Sequence, residues 1–198
     1  PSIKLNADLK PEQVTSVEFG LEGSMLNNRL NFDISIYEKE TTDMIFNVPV
    51  PAATGFQFFK QNVGKVSNKG VEITLGGRIV QNSKMVWDSS LFYSKNENEL
   101  LELIDDLETF TYMSTNSGNL SLRAQVGGTI GDIYGNVVEM ENGQMKLRED
   151  GRPTGSTPDQ YLGTAQPDFL AGWTNTIRYG NYSLRFQIDG RFGGQFYS

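Results

Sequence analysis

The sequence predicts an all-β fold: antiparallel strands forming part of a large transmembrane β-barrel, with long extracellular loops that carry a small hairpin. Three observations predict it. Apolar and polar residues alternate in six separate segments, which is strand spacing and not helix spacing. No run approaches the roughly 18 apolar residues that a transmembrane helix requires. The links between segments alternate between short and long, as in membrane barrels with tight turns on one side and long loops on the other.

The first segment sets Thr15, Val17, Phe19 and Leu21 against Ser16, Glu18, Gly20 and Glu22. The second sets Leu30, Phe32, Ile34 and Ile36 against Asn31, Asp33, Ser35 and Tyr37, and the third Val71, Ile73, Leu75 and Ile79 against Glu72, Thr74, Gly76 and Arg78. The fourth carries Met85, Trp87, Ser89, Leu91 and Tyr93 opposite Asp88, Ser90, Phe92 and Ser94. In the fifth, Phe169, Ala171, Trp173, Ile177 and Tyr179 oppose Gly172, Thr174, Thr176 and Arg178. In the last, Tyr182, Leu184, Phe186 and Ile188 oppose Ser183, Arg185, Gln187 and Asp189.

Soluble sandwiches alternate too, and a secreted β-sandwich that binds carbohydrate stands as the alternative. Three features favour the membrane. The alternation lasts about 8–11 residues, near the length of a tilted strand crossing a bilayer, whereas soluble strands average about 5–6. The apolar rows hold no charge, while the opposite rows hold Glu18, Asp33, Glu72, Arg78, Asp88, Arg178, Arg185 and Asp189. Trp87, Tyr93, Trp173, Tyr179 and Tyr182 are read as sitting toward segment ends, where interfacial girdles belong. Lipid-facing positions are then Phe19, Leu21, Phe32, Ile34, Ile73, Leu75, Trp87, Leu91, Trp173, Ile177, Leu184 and Phe186.

Short turns are predicted around Asn27 and Asn28, around residues 81–83, and at Gly180 and Asn181. Long connections cover 41–65 and 96–166. Within the second, Glu141, Asn142, Gly143 and Gln144 read as a hairpin on a type I′ turn. Residues 98–107 give the one helical signal, with Leu100, Leu103, Ile104 and Leu107 on one face. Their acids Glu99, Glu102, Asp105 and Asp106 lack the spacing of a calcium loop and read as a solvated face or a strand extension.

Composition narrows the chemistry. A net charge of -7 is opposite to what binding nucleic acid requires. With no cysteine and no histidine, thiolate chemistry, disulfides and the commonest general base are missing. No catalytic constellation is visible, so the chain is read as a non-enzyme without metal or cofactor. A carboxylate-only glycosidase would need two opposed acids about 5–10 Å apart, and no distinctive pair presents itself. The mean hydropathy of -0.40 suits barrel strands that are apolar on one face only.

Several strings then carry a resemblance. "N-V-G" at 62–64 with "VSNKGVEITLGGRI" at 66–79 resembles the "N-x-G … N-K-G-x-E-L" strand of SusC/RagA-type TonB-dependent transporters. "LKPEQVTSVEFGLE" at 9–22 is similar to the segment preceding that strand. "GGTIGDIYG" at 127–135 resembles the family's loop motif, and "YLGTAQPDFLAGWTNTIRYGNYSLRFQIDGRFGG" at 161–194 its "P-D … D-G-R-x-G-G" hairpin. The matches run in family order across nearly the whole chain.

The resemblance implies an outer-membrane location and a barrel of about 22 strands around a plug. It also implies import of oligosaccharides or peptides under a SusD-like surface lipoprotein, with TonB pulling on the plug. Plug, TonB box and terminal strands have no counterpart in 1–198, and six strands cannot close a barrel. The expectation is therefore a partial barrel belonging to a longer polypeptide. Loop aromatics Phe56, Phe58, Phe59, Phe110, Tyr112, Tyr134 and Tyr161 are the candidate ligand contacts.

Overall fold

The computed structural model describes residues 3–104, 107–115 and 119–196. In chain order the strands are β1 (Ile3–Lys4), β2 (Gln13–Met25), β3 (Leu30–Pro49), β4 (Phe58–Gln81), β5 (Met85–Leu103), β6 (Thr109–Ser114), β7 (Leu120–Gln125), β8 (Asp132–Val138), β9 (Met140–Glu141), β10 (Gln144–Met145), β11 (Ser156–Thr164), β12 (Phe169–Tyr179) and β13 (Tyr182–Phe192). The six alternating segments fall within β2, β3, β4, β5, β12 and β13. These strands form one antiparallel wall in the order β13-β12-β5-β4-β3-β2, with β1 added in parallel to β4. A second sheet, β11-β8-β7-β6, stands at one end of the wall.

Register explains why the alternation was so regular. Directly paired residues share a face of an antiparallel sheet. One row therefore runs Leu21–Ile34–Ile73–Tyr93–Ala171–Gly190, and the next Phe32–Leu75–Leu91–Trp173–Ile188. All twelve positions predicted to meet lipid lie on this one face. Trp173 is a correction to the reading of aromatics at segment ends: it lies mid-strand, between Leu91 and Ile188. Its indole N–H donates to Ser89 Oγ at 2.8 Å, and that of Trp87 to Asn175 Oδ1 at 2.9 Å. Away from water these donors need partners within the sheet, which accounts for the polar Ser89 and Asn175 among apolar rows.

Nothing among the described residues covers that face. Phe19 is 70% exposed and Leu184 59%. The chain exposes 13815 Å², whereas a compact monomer of 22.1 kDa would expose about 9,000 Å². A β-sandwich would have packed this surface against a second sheet, so the sandwich alternative fails here.

Two connections differ from expectation. The stretch 41–65 is mostly strand: β3 continues to Pro49 and β4 begins at Phe58. The wall thus rises well beyond its apolar band, and the pattern changes because there the outer rows carry charge while Val63, Val66 and Leu100 on the other side pack against Phe110 and Ala124. The helical signal at 98–104 is the end of β5, the strand-extension reading. A bulge makes Lys65 pair with Glu102 but Val66 with Leu100. The extra residue puts Leu100 and Leu103 on the same side three positions apart, which mimics helical spacing. Asp105 and Asp106 lie outside the described residues. The hairpin on Asn142 and Gly143 is present, with φ of 53° and 77°, as a type I′ turn requires.

Candidate functional site

The apolar band ends within two rows. Lys95 already stands in the row of Ile36 and Val71, and one row above it the same face carries Glu38, Lys69 and Glu97, followed by Glu40. Lys69 pairs with Glu38 at 3.1 Å and Lys65 with Glu40 at 2.9 Å. At the short-turn end, the band finishes on the directly paired Tyr179 and Tyr182. The opposite, polar face carries Asp88 between two arginines, Arg78 at 2.8 Å and Arg178 at 2.9 Å.

Above this level the polar face becomes a hydrogen-bonded ladder. Tyr37 Oη donates to Asn96 Oδ1 at 3.2 Å, and the amides of Asn96 and Asn98 both donate to Asn68 Oδ1, at 3.1 and 3.0 Å. Gly70 is required beside it, because a Cβ there would enter the Tyr37 ring. Asn62 clasps two further segments. It accepts from Lys10 N at 2.9 Å and donates to the carbonyls of Lys10 and Asp43 at 2.9 and 2.6 Å. Glu12 Oε1 accepts from Ile45 N at 2.7 Å. The strings that carried the resemblance are therefore joints where strand, strap and loop meet.

The ladder also fixes the second sheet. Asn98 Oδ1 accepts from Ile130 N at 2.8 Å, while Leu100 exchanges backbone bonds with Gly127 and Gly128. Asp132, buried, accepts from Thr129 N at 3.0 Å and Thr129 Oγ1 at 2.7 Å, closing the 127–132 turn. Phe110 and Ala124 then pack with Val63, Val66 and Leu100 in the hydrophobic core. Because Asn98 belongs to the polar face, the second sheet leans over that side of the wall. Replacing Asn98 with alanine should orphan Ile130 N, at about 1–3 kcal/mol, and loosen 127–132. Limited proteolysis of the variant should cut there first, with the wall left intact.

The second sheet has two unlike faces. One carries Phe110, Ala124, Leu122 and Ile133; the other carries Arg123, Tyr134 and Tyr161. On the latter, the Arg123 guanidinium lies 4.1 Å from the centre of the Tyr134 ring and is paired with Asp159. The Tyr134 and Tyr161 rings meet edge to face at 5.5 Å. The Arg123 hydrogen bond holds the Asp159 carboxyl below its ordinary range. Burial, then the nearby Asp132 charge, pushes the Tyr161 hydroxyl up.

The predicted loop aromatics are thus not one group. Tyr134 and Tyr161 stand together on an accessible face. Phe110 corrects the ligand-contact reading: it belongs to the core, with its ring 5.5 Å from Phe46, and Tyr112 packs on the same Phe46 ring at 5.6 Å. Phe58 and Phe59 pair with β1, where Lys4 Nζ stands 5.5 Å from the Phe59 ring centre. Phe56, partly buried, lies in the 50–57 connection. Sequence reading missed Arg123 and Asp159, whose pairing needs the bulge at 157–160. Among the described residues no three carboxylates converge as metal ligands.

The model of the family described as TonB dependent receptor-like, beta-barrel, matches residues 2–198. The chain belongs to that family. A TonB-dependent receptor of Formosa agariphila is 30% identical over 214 residues, covering 98% of this chain and 21% of that protein. The TonB-dependent receptor SusC of Bacteroides thetaiotaomicron is 26% identical over 197 residues, covering 92% of this chain and 20% of its own length. Among solved structures, the RagAB peptide importer in its "closed-closed" state superposes with a TM-score of 0.71 at 25% identity, over 93% of this chain and 21% of that one. The chain spans between 12% and 21% of the length of the curated relatives it matches. As a TonB-dependent receptor barrel it is placed in the outer membrane, with its apolar face made of matched barrel strands.

Proposed function

We propose that this chain is a stretch of barrel wall from a transporter that carries nutrients inward across the outer membrane, working with a SusD-like lipoprotein outside and TonB inside. The observation that carries the reading is the uncovered face six strands wide, free of charge below the Ile36–Val71–Lys95 row and bounded by ion pairs at that end and tyrosines at the other. The length fits as well: β12 and β13 have 11 residues each, enough for a tilted crossing. The twelve apolar positions face lipid, and the Asp88 face lines the lumen. The two uncovered wall edges, β2 and β13, pair with further strands of the longer polypeptide, since an unpaired edge in lipid costs several kcal/mol per backbone group.

On this reading the ion-pair end and the second sheet lie outside the cell. The transported solute is an oligosaccharide or a peptide. An epitope placed after Gly143 in the full-length receptor should be reached by antibody on intact cells lacking the lipoprotein. Labelling seen only after the outer membrane is opened would reverse the topology. Deleting the receptor gene should abolish growth on the solute it imports and leave growth on monosaccharides unchanged.

A further inference from the structure

We infer that the apolar face of the wall seats one anionic phospholipid at its short-turn end, with an acyl chain in a groove over Gly77 and the phosphate on Arg29. The inference rests on the transporter reading above, which turns that face to lipid and puts that end in the periplasmic leaflet. The groove arises from the sheet itself. Gly77 pairs with Leu30 on the apolar face, and the bulge between Arg78 and Val80 brings in Ile79 beside them. A Cβ built on Gly77 would stand 3.5 Å from Ile79 Cδ1 and 4.0 Å from Leu30 Cδ1. The glycine is thus the floor, and these two side chains are the walls. The open space is about 540 Å³, and Leu26 and Arg29 of the β2–β3 turn also line it. The next row is filled by Phe32, Leu75 and Leu91, so the indentation is local.

Charge selects the occupant. The Arg29 guanidinium is held by neutral carbonyls: Nε and Nη2 donate to Arg78 O at 3.4 and 3.2 Å, and Nη2 to Ile79 O at 3.2 Å. These bonds fix the fork and leave Nη1 and the positive charge for a ligand. Among the described residues no carboxylate lies within ion-pair distance of Arg29. Asp88 belongs to the opposite face and holds Arg78 and Arg178. A fixed guanidinium beside an apolar groove complements a phosphate joined to a hydrocarbon chain, and basic pockets at a membrane surface select anionic head groups. The ammonium of a zwitterionic lipid would find no carboxylate here, and a lipid without phosphate would leave Arg29 unanswered. Leu26 adds a second observation. It is 70% exposed and has φ of 56°, followed by Asn27 and Asn28 in the same left-handed region. Asparagine tolerates that region and leucine does not. Burial of Leu26 against an acyl chain offsets the strain, whereas in a turn bathed only by water nothing would.

The test strips lipid from the full-length receptor by detergent exchange and titrates it with dioleoylphosphatidylglycerol, counting adducts by native mass spectrometry. One phosphatidylglycerol should bind ahead of all others, and more tightly than dioleoylphosphatidylcholine or dioleoylglycerol by about 5-fold, the worth of one basic residue at an anionic membrane surface. Arg29→Gln removes the charge yet keeps a donor for the carbonyls, and should weaken that first adduct by the same factor. Gly77→Val fills the groove and should weaken it by about 4-fold or more, since at least one methylene loses its burial. Gly77→Ala adds a methyl that meets only ordinary contacts, so it keeps the fold and should weaken the adduct less. Lys69→Gln, at the other end of the band, should leave it unchanged. Unchanged heat-modifiability on gels verifies that each variant is folded. Equal binding of the three lipids, a first adduct unmoved by Arg29→Gln or by both Gly77 variants, or an equal loss with Lys69→Gln overturns the seat. Uptake by cells separates the two readings. Normal import by a receptor that shows no first adduct defeats the seat alone. A lipid seat that behaves as expected, in a receptor whose deletion changes no uptake, defeats the transporter alone.

Discussion

Arginine in place of Ile34 should cost the folded receptor about 2–4 kcal/mol and in place of Leu184, one row from the Tyr179–Tyr182 end of the band, rather less, whereas arginine at Ser90 or Ser183 should cost little. Ile34 pairs with Leu21 and Ile73 in the middle of the apolar band, and Leu184 pairs with Ile177. Ser90 and Ser183 are one residue out of phase, on the face that carries Asp88 and Arg178. A guanidinium at Ile34 has no carboxylate on its face nearer than Glu38, one row beyond Ile36. Reversible urea unfolding of the full-length receptor in liposomes would measure all four changes. Equal costs on the two faces would refute the assignment of the apolar face to lipid.

What the sequence revealed and what it hid follow from one physical difference. Where one face of the wall meets an apolar phase and the other meets water, the pattern has period two, and β2, β12 and β13 could be read almost residue by residue. Above Ile36 and Tyr93 that contrast disappears. Glu38 and Lys69 occupy the apolar phase of the pattern, and a bulge shifts Leu100 by one position. The upper parts of β3, β4 and β5 therefore passed for loop or helix. The second sheet was hidden for a related reason: its strands β6 and β7 have only six residues each and carry a register shift. The aromatic half of the Arg123–Tyr134–Tyr161 cluster on the second sheet was legible as Tyr134 and Tyr161. The charged half was not, because Arg123 and Asp159 are 36 residues apart and meet only across a bulge.

The motif glycines should separate into a costly one and a mild one, although both are crowded. At Gly64 an added Cβ would overlap the carbonyl oxygen of Glu102 on the neighbouring strand. Backbone cannot swing aside, so Gly64→Ala must push β4 from β5 beside Val63, Val66 and Leu100. Overpacking of this kind costs about 1–3 kcal/mol or more, and the loss of the docked 127–132 turn should accompany it. At Gly70 the obstacle is the Tyr37 ring, the far end of a side chain. Gly70→Ala should displace that ring and forfeit its hydrogen bond to Asn96, a loss of about 1 kcal/mol. Combining Gly70→Ala with Tyr37→Ala should then cost no more than Tyr37→Ala alone, since the two residues act through one contact. The same combination with Gly64→Ala should be additive. Liposome unfolding of the single and double variants reads both cycles. A Gly64→Ala receptor as stable as Gly70→Ala would show that the β4–β5 approach at Glu102 is not what Gly64 provides.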